Sequence, residues 1–388
     1  MNSNEIRPKV LIHCQYVYGI GHYVRAMELA RGLSSRFEVF VLNGGEVVPN
    51  FDLPSSVTVI QLPAIYKEET EAFLTPVDGS QTLEQCFARR KSIISQSVEE
   101  IKPAILITEH FPFGLLFEGE VVELINKVKQ AKPTAKIVCS VRDIIESSEG
   151  GSRDAHTCDL INRSYDMVLV HGDERFASLS TSFPRAQEIK VPIIQTGYIA
   201  RVASTVSQSN NHPIVLASVA GGRLGHELLD ALIDSYSTTN ALIKHTLILF
   251  SGAFQKDIKV QQDKIDKMQS DGIRLQPFDS QEYLKCFSAA SLIISLGGYN
   301  SLIESVSANK PLLIYNRDFA GANKEQDLRI KLFESTGHLE IIIPEDLTSN
   351  KLPNLISRKL NSLQAPACAL NVKGAETSRE SLLGLLNN

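Results

Sequence analysis

Residues Ser291 to Arg317 read SLIISLGGYNSLIESVSANKPLLIYNR. A short apolar run, SLIISL, stops at Gly297-Gly298; an amphipathic helix begins near Tyr299 to Ser301, and a second apolar run, PLLIYN, follows at Pro311 to Asn316. Strand, helix and strand in this spacing describe a βαβ unit, and near-continuous apolar strands suit a parallel sheet covered on both faces. In open sheets of that kind ligands bind beyond the carboxyl ends of the strands. Helix N-termini there offer unpaired N–H groups and a partial positive charge. The glycine pair stands at such a place.

The same rhythm extends in both directions. Towards the N-terminus of this half lie PIVLAS (Pro213 to Ser218), HTLILF (His245 to Phe250) and GIRLQP (Gly272 to Pro277), and beyond it EIIIP (Glu340 to Pro344). An earlier series comprises KVLIHC (Lys9 to Cys14), FEVFVL (Phe37 to Leu42), VTVIQL (Val57 to Leu62), AILITE (Ala104 to Glu109), KIVCSV (Lys136 to Val141) and DMVLVH (Asp166 to His171). The polar stretch STVSQSNNHP (Ser204 to Pro213) separates the two series. The expected fold class is α/β, with two doubly wound Rossmann-like domains facing each other across a cleft. The boundaries read as 1–203 and 204–388, with the last helix able to pack back on the first domain.

A chain of 388 residues supports two cores of this size. Hydrophobic residues at 43% and charged residues at 21% are ordinary for a globular protein, and no apolar run approaches a membrane span. The opening MNSNEIRPKVLIHC does not suit a secretory signal, so the mature chain is expected to begin here. The six scattered cysteines form no Cys-x-x-Cys and no zinc spacing; they read as reduced thiols of a cytoplasmic protein. A formal charge of −5 with dispersed basic residues argues against a nucleic-acid surface.

Two more glycine turns share the placement of Gly297-Gly298. Gly19-Ile20-Gly21-His22 follows the opening strand and leads into a helix with Tyr23, Met27, Ala30 and Leu33 on one face. It lacks the third glycine of a dinucleotide fingerprint, which removes a nicotinamide cofactor from consideration. Ala220-Gly221-Gly222-Arg223 follows PIVLAS; glycine there lets backbone N–H groups approach an anion, and Arg223 adds a charge. Glu304, near the start of the helix after Gly298, has two readings on position alone: pairing the hydroxyls of a ribose, or complementing the helix dipole.

The blocks GIGHYVRAMELA, LGGYNSLIES, NKPLLIYNR and EQDLRIKLFESTG together resemble the MurG-like branch of the GT-B glycosyltransferases (family 28-like). TEHFPFG, VRDI, YDMVLVHGDERF and IIQTGYI resemble further blocks of its "predicted glycosyltransferase" group, so the likeness runs from about residue 8 to about residue 340. The resemblance implies a nucleotide-sugar donor, usually UDP-linked, held mainly by the C-terminal domain. It places Gly221, Gly222, Arg223, Gly297, Gly298, Asn300 and Ser301 near the diphosphate and Glu304 on the ribose. The backbone at Pro277 and Phe278 would border the base, and Gln326 would meet sugar hydroxyls. Gly19, Gly21 and His22 would face the same cleft from the N-terminal domain.

Transfer to a hydroxyl needs a general base, and the candidates are His22, Glu109 and Asp143, the two acids following N-domain strands. No Asp-x-Asp occurs in the chain, so no metal is expected; no cofactor is expected either, and the transfer expected from the resemblance is inverting. The acceptor is open: a small molecule, a glycan or a lipid-linked compound, with peripheral membrane contact compatible with the last. Gly79 to Val98 and Glu146 to Asp159 lie where acceptor-contacting insertions would sit, the latter reading as a mobile lid. Phe111, Phe113, Leu115, Leu116 and Phe117 suit either an acceptor groove or a core turn. Three rivals share the architecture: a nucleotide-sugar hydrolase of the pseudaminic-acid-pathway type, a nucleotide-sugar 2-epimerase, and a nucleotide-sugar-binding protein without turnover.

Overall fold

The computed structural model describes residues 7–68, 73–201, 212–219, 221, 224–255, 257–317, 324–348, 350–362 and 368–387. Gly222 and Arg223, and most of the polar stretch between the two series of strands, lie outside the described residues.

The first series opens with β1 (Lys9–Cys14), α1 (Gly21–Leu33), β2 (Glu38–Asn43) and β3 (Val57–Gln61), followed by a small hairpin of β4 (Ile65–Tyr66) and β5 (Thr75–Pro76). It continues through α2 (Leu83–Ile101), β6 (Ile105–Glu109), α3 (Glu118–Ala131), β7 (Lys136–Arg142), α4 (Ser152–Ser164), β8 (Met167–His171), α5 (Leu179–Ser182) and β9 (Ile193–Gln195). Seven of these strands form one parallel sheet in the order β3-β2-β1-β6-β7-β8-β9.

The second series contains β10 (Ile214–Ser218), α6 (His226–Leu242), β11 (Thr246–Phe250), α7 (Lys259–Lys267), β12 (Ile273–Gln276) and α8 (Ser280–Ala289). After these come β13 (Leu292–Ser295), α9 (Tyr299–Ser307), β14 (Leu312–Tyr315), α10 (Lys324–Glu334), β15 (Leu339–Ile342), α11 (Pro344–Leu347), α12 (Lys351–Asn361) and α13 (Gly374–Asn387). Its six strands are parallel in the order β12-β11-β10-β13-β14-β15. The central strands are buried on both faces because helices cover each side, which is why they read as unbroken apolar runs rather than alternating ones.

In each sheet the strand order reverses direction once, between β1 and β6 and between β10 and β13. Neighbouring connections leave to opposite faces at such a point and open a crevice at the strand ends. The two crevices face each other, so the loops after β1, β6, β10 and β13 meet in one cleft. The chain then crosses back: Tyr198 N–H donates to the Asn371 carbonyl at 2.7 Å, and Leu382 of α13 joins the core around α1.

The stretch read as a lid differs from that expectation. Ser152 to Asp159 forms the first turns of α4, and the buried Asp154 carboxylate accepts the backbone N–H groups of Ser148 (2.9 Å) and Gly150 (2.7 Å). An acid in the first turn binding the preceding loop is a capping arrangement. The serines and glycines that suggested mobility serve that turn. Most of Gly79 to Val98 is likewise helix α2, opened by a capping box at Thr82 and Gln85.

Candidate functional site

The cleft has a volume of about 640 Å³. Gly19, Gly21, His22, Glu109, Gly221, Phe278, Gly298, Asn300, Ser301, Glu304 and Gln326 line it, whereas Gly297 and Asp143 do not.

On the N-domain wall, α1 starts at Gly21 with no side-chain cap, so His22 enters the cleft within its first turn. Its Nδ1 lies 2.9 Å from Oε1 of Glu109, the last residue of β6. The same carboxylate accepts a bond from Arg25 and, through Oε2, the Ser140 hydroxyl at 2.8 Å. Burial alone would raise the Glu109 pKa, but Arg25 and then His22 outweigh it and hold the carboxyl far below its ordinary range. Glu109 is therefore an anion that only accepts, and at 2.9 Å it lies closer to Nδ1 than the donor Arg25 Nη2 at 3.2 Å, which favours the proton on Nδ1. Nε2 is left bare.

Burial pushes the His22 imidazole below its usual value; the Glu109 bond opposes this, while Arg142 and Arg25 add to it. His22 is 21% exposed, on the cleft side, and neutral at pH 7. That is the state of a general base. His110 packs its ring 5.1 Å from His22. Burial, followed by repulsion from His22 and Arg142, keeps it neutral as well.

The opposite wall presents an uncapped helix start. Helix α9 begins after Gly298 without a side-chain cap, which leaves its first N–H groups for a ligand. By contrast, α8 is capped by the Asp279 carboxylate, which accepts the Gln281 and Glu282 N–H groups. Gly221 has φ +65, and a Cβ there would lie 3.0 Å from Gly19 Cα, so the two glycine turns touch across the cleft. Gly297 has φ +70 and a Cβ would strike Ile314 at 2.5 Å. Only glycine fits either position without strain. The Asn300 amide spans the gap, donating to the Gly21 carbonyl at 3.2 Å. Ser301 Oγ donates to the Gly298 carbonyl at 3.1 Å.

Glu304 lies deeper in the cleft, in the second turn of α9, and takes Arg201 Nε at 2.7 Å and Nη2 at 3.2 Å. A ribose bound here would share or displace that arginine. Gln326, near the start of α10, donates to the Leu296 carbonyl. The Phe278 carbonyl accepts from Asn50 at 3.3 Å, and the ring packs against the N-domain core. On the N-domain wall, Phe111, Leu116 and Phe117 line the cleft while Phe113 stacks edge-on with Phe183 in the core.

Asp143 is buried in a bridge to Arg329 of α10, Oδ1 accepting Nη2 at 2.9 Å and Nε at 3.1 Å. Arg329 also donates to Glu325 (2.7 Å), which holds Arg142 at 2.7 Å. Tyr299 is enclosed by two of these arginines: Arg25 lies 5.2 Å and Arg329 5.7 Å from its ring centre. Sequence reading missed Arg25, Arg142, Arg201, Glu325 and Arg329. Arg25 carried one signal, standing three residues after His22 on the same helical face. The others depend on contacts between domains.

Two Rossmann-like domains with opposed crevices define the GT-B architecture. Solved proteins share it: the calicheamicin glycosyltransferase CalG4 superposes with a TM-score of 0.59 at 13% identity, over 99% of each chain. UDP-GlcNAc 2-epimerase from Methanocaldococcus jannaschii gives 0.59 at 12% identity, over 98% of this chain and 99% of that one. At such identities the likeness concerns the fold. Residues 216–381 match the glycosyltransferase family 28 C-terminal domain. A curated relative is the UDP-N-acetylglucosamine--N-acetylmuramyl-(pentapeptide) pyrophosphoryl-undecaprenol N-acetylglucosamine transferase of Geobacillus kaustophilus (strain HTA426), 25% identical over 177 residues. The match covers 45% of this chain and 46% of that one, so it spans about half the length of the relative. The resemblance to the MurG-like branch stands.

Proposed function

We propose that this protein is a glycosyltransferase that moves a sugar from a UDP-linked donor to a hydroxyl acceptor, with inversion and without a metal. The observation that carries the reading is the opposition of a neutral His22, held through Nδ1 by Glu109, to the uncapped start of α9. The acceptor oxygen attacks the anomeric carbon as its proton passes to His22 Nε2. The bond from that carbon to the diphosphate breaks on the far face, and α9 with the adjoining glycine turns stabilises the departing charge. Attack opposite the leaving group inverts the anomeric centre. Gly222 and Arg223 belong to this reading by sequence, and Asp143, committed to Arg329, leaves the base to His22. The unpaired cysteines, five buried and one half-buried, accord with a cytoplasmic setting.

Thermal shift with UDP against other nucleoside diphosphates tests the donor. UDP is expected to raise the melting temperature, and Glu304→Gln to weaken its binding roughly tenfold, as for a lost charge-assisted hydrogen bond. A variant that folds and binds UDP as tightly would remove Glu304 from the ribose. Product analysis with UDP-N-acetylglucosamine, with and without added acceptors, separates transfer from hydrolysis and 2-epimerisation.

Metal independence follows from the diphosphate lying against backbone donors rather than an Asp-x-Asp. Activity is expected to persist after exhaustive chelation. Loss in EDTA, restored by magnesium or manganese, would overturn it.

A further inference from the structure

Behind Glu109 a chain of buried polar groups runs away from the cleft, and no step of transfer uses it. Ser140 Oγ, 2.8 Å from Glu109 Oε2, also lies 2.9 Å from Nε2 of His171. His171 Nδ1 lies 2.9 Å from Thr196 Oγ1. All three are fully buried polar side chains. Such groups persist in a core only when each donor finds an acceptor, and here the Glu109 carboxylate fixes the direction at Ser140.

A serine hydroxyl has one proton, and the Glu109 carboxylate can only accept it. Ser140 is therefore the acceptor towards His171, and Nε2 must carry the histidine's proton. Burial drives the His171 pKa down to about 3, with Arg25 acting the same way, so the ring is neutral and its Nδ1 is bare. Nδ1 then accepts from the Thr196 hydroxyl at 2.9 Å, a hydroxyl that also has the Gly197 carbonyl at 2.8 Å and the Val170 carbonyl at 3.2 Å within reach. The ring is held from a second direction: Tyr299, first residue of α9, donates its hydroxyl to the His171 backbone carbonyl at 2.9 Å.

We infer that Ser140 and His171 are positioning residues that set the orientation and basicity of His22 through Glu109, and tie them to the helix that faces the donor diphosphate. Each donor to Glu109 withdraws charge from the carboxylate and so tempers how strongly it favours the protonated imidazole. Arg25 and Ser140 share this duty with His22 on three separate bonds. Removing the Ser140 hydroxyl leaves Glu109 more basic and raises the pH at which His22 protonates. The general base is then lost at a higher pH. The inference rests on the general-base reading of His22, but its tautomers can be measured without a substrate.

The test is long-range proton–nitrogen NMR on the full-length protein with ring-labelled histidines, from pH 5 to 9. His22 and His171 are assigned by the signals lost in His22→Asn and His171→Gln. The expected result is an Nδ1–H tautomer for His22 and an Nε2–H tautomer for His171 that does not titrate. In Ser140→Ala the His22 midpoint is expected to rise by about half a unit or more. The acid limb of UDP release from UDP-N-acetylglucosamine moves with it, lowering kcat there roughly threefold with donor KM unchanged. Ser140→Thr keeps the hydroxyl and the wild-type midpoint. An Nδ1–H tautomer at His171, or an unmoved His22 midpoint in a folded Ser140→Ala protein, overturns the inference. If His22→Asn instead retains the rate of UDP release, the general-base reading falls while the tautomer result stands on its own.

Discussion

Replacing His22 with asparagine is expected to lower kcat by roughly a hundredfold or more, with donor affinity and melting temperature nearly unchanged. Asparagine can still donate to Glu109 from the place of Nδ1, so the first turn of α1 keeps its anchor, but nothing replaces the bare Nε2. The donor ligands proposed above stand on the other wall, which is why binding is spared. The wild-type rate is also expected to fall as pH drops through the imidazole's own pKa. Burial has lowered that value below the ordinary histidine range, so the neutral form, and the activity, persist further into acid than for a free imidazole. Stopped activity at unchanged UDP affinity supports the role. A variant that keeps its rate but melts several degrees lower makes His22 a turn residue.

That expectation was reached from a short string, and the reason is physical. The loop after β1 and the end of β6 lie side by side at a reversal of strand order, so a glycine turn after one apolar run and an acid closing another are brought together by topology alone. All twelve apolar runs are strands; burial on both faces gives the central ones a composition that turns and exposed helices do not share. The short β9 and the β4–β5 hairpin were missed, being brief and only partly buried. What one sequence cannot show is the second wall of each contact. Asp143 reads as a free acid at a strand end until Arg329, from the other domain, is seen against it. Glu304 reads as an open ribose ligand until Arg201 is found paired with it.

The Asp143–Arg329 bridge carries the largest expected effect on stability. Arg329→Met leaves a fully buried carboxylate whose remaining hydrogen-bond donor among the described residues is the Ile144 backbone N–H at 2.8 Å. An uncompensated buried charge costs about 3–5 kcal/mol, against a small loss of packing for a side chain of similar length. Glu325 does not suffer the same fate, since Arg142 still holds it at 2.7 Å. The cost therefore concentrates on Asp143, at the seam between the domains. The expected fall in melting temperature is roughly 6–15 °C. The double replacement Asp143→Leu with Arg329→Met removes both charges together and is expected to recover most of that loss, because the desolvation penalty goes with the pair. Scanning calorimetry of the three proteins checks the argument. If the double variant melts as low as the single one, the bridge stabilises by its geometry and hydrogen bonds rather than by mutual neutralisation. If Arg329→Met melts like the wild type, Asp143 is not held by Arg329 in solution, and it returns to the list of groups free to act in the cleft.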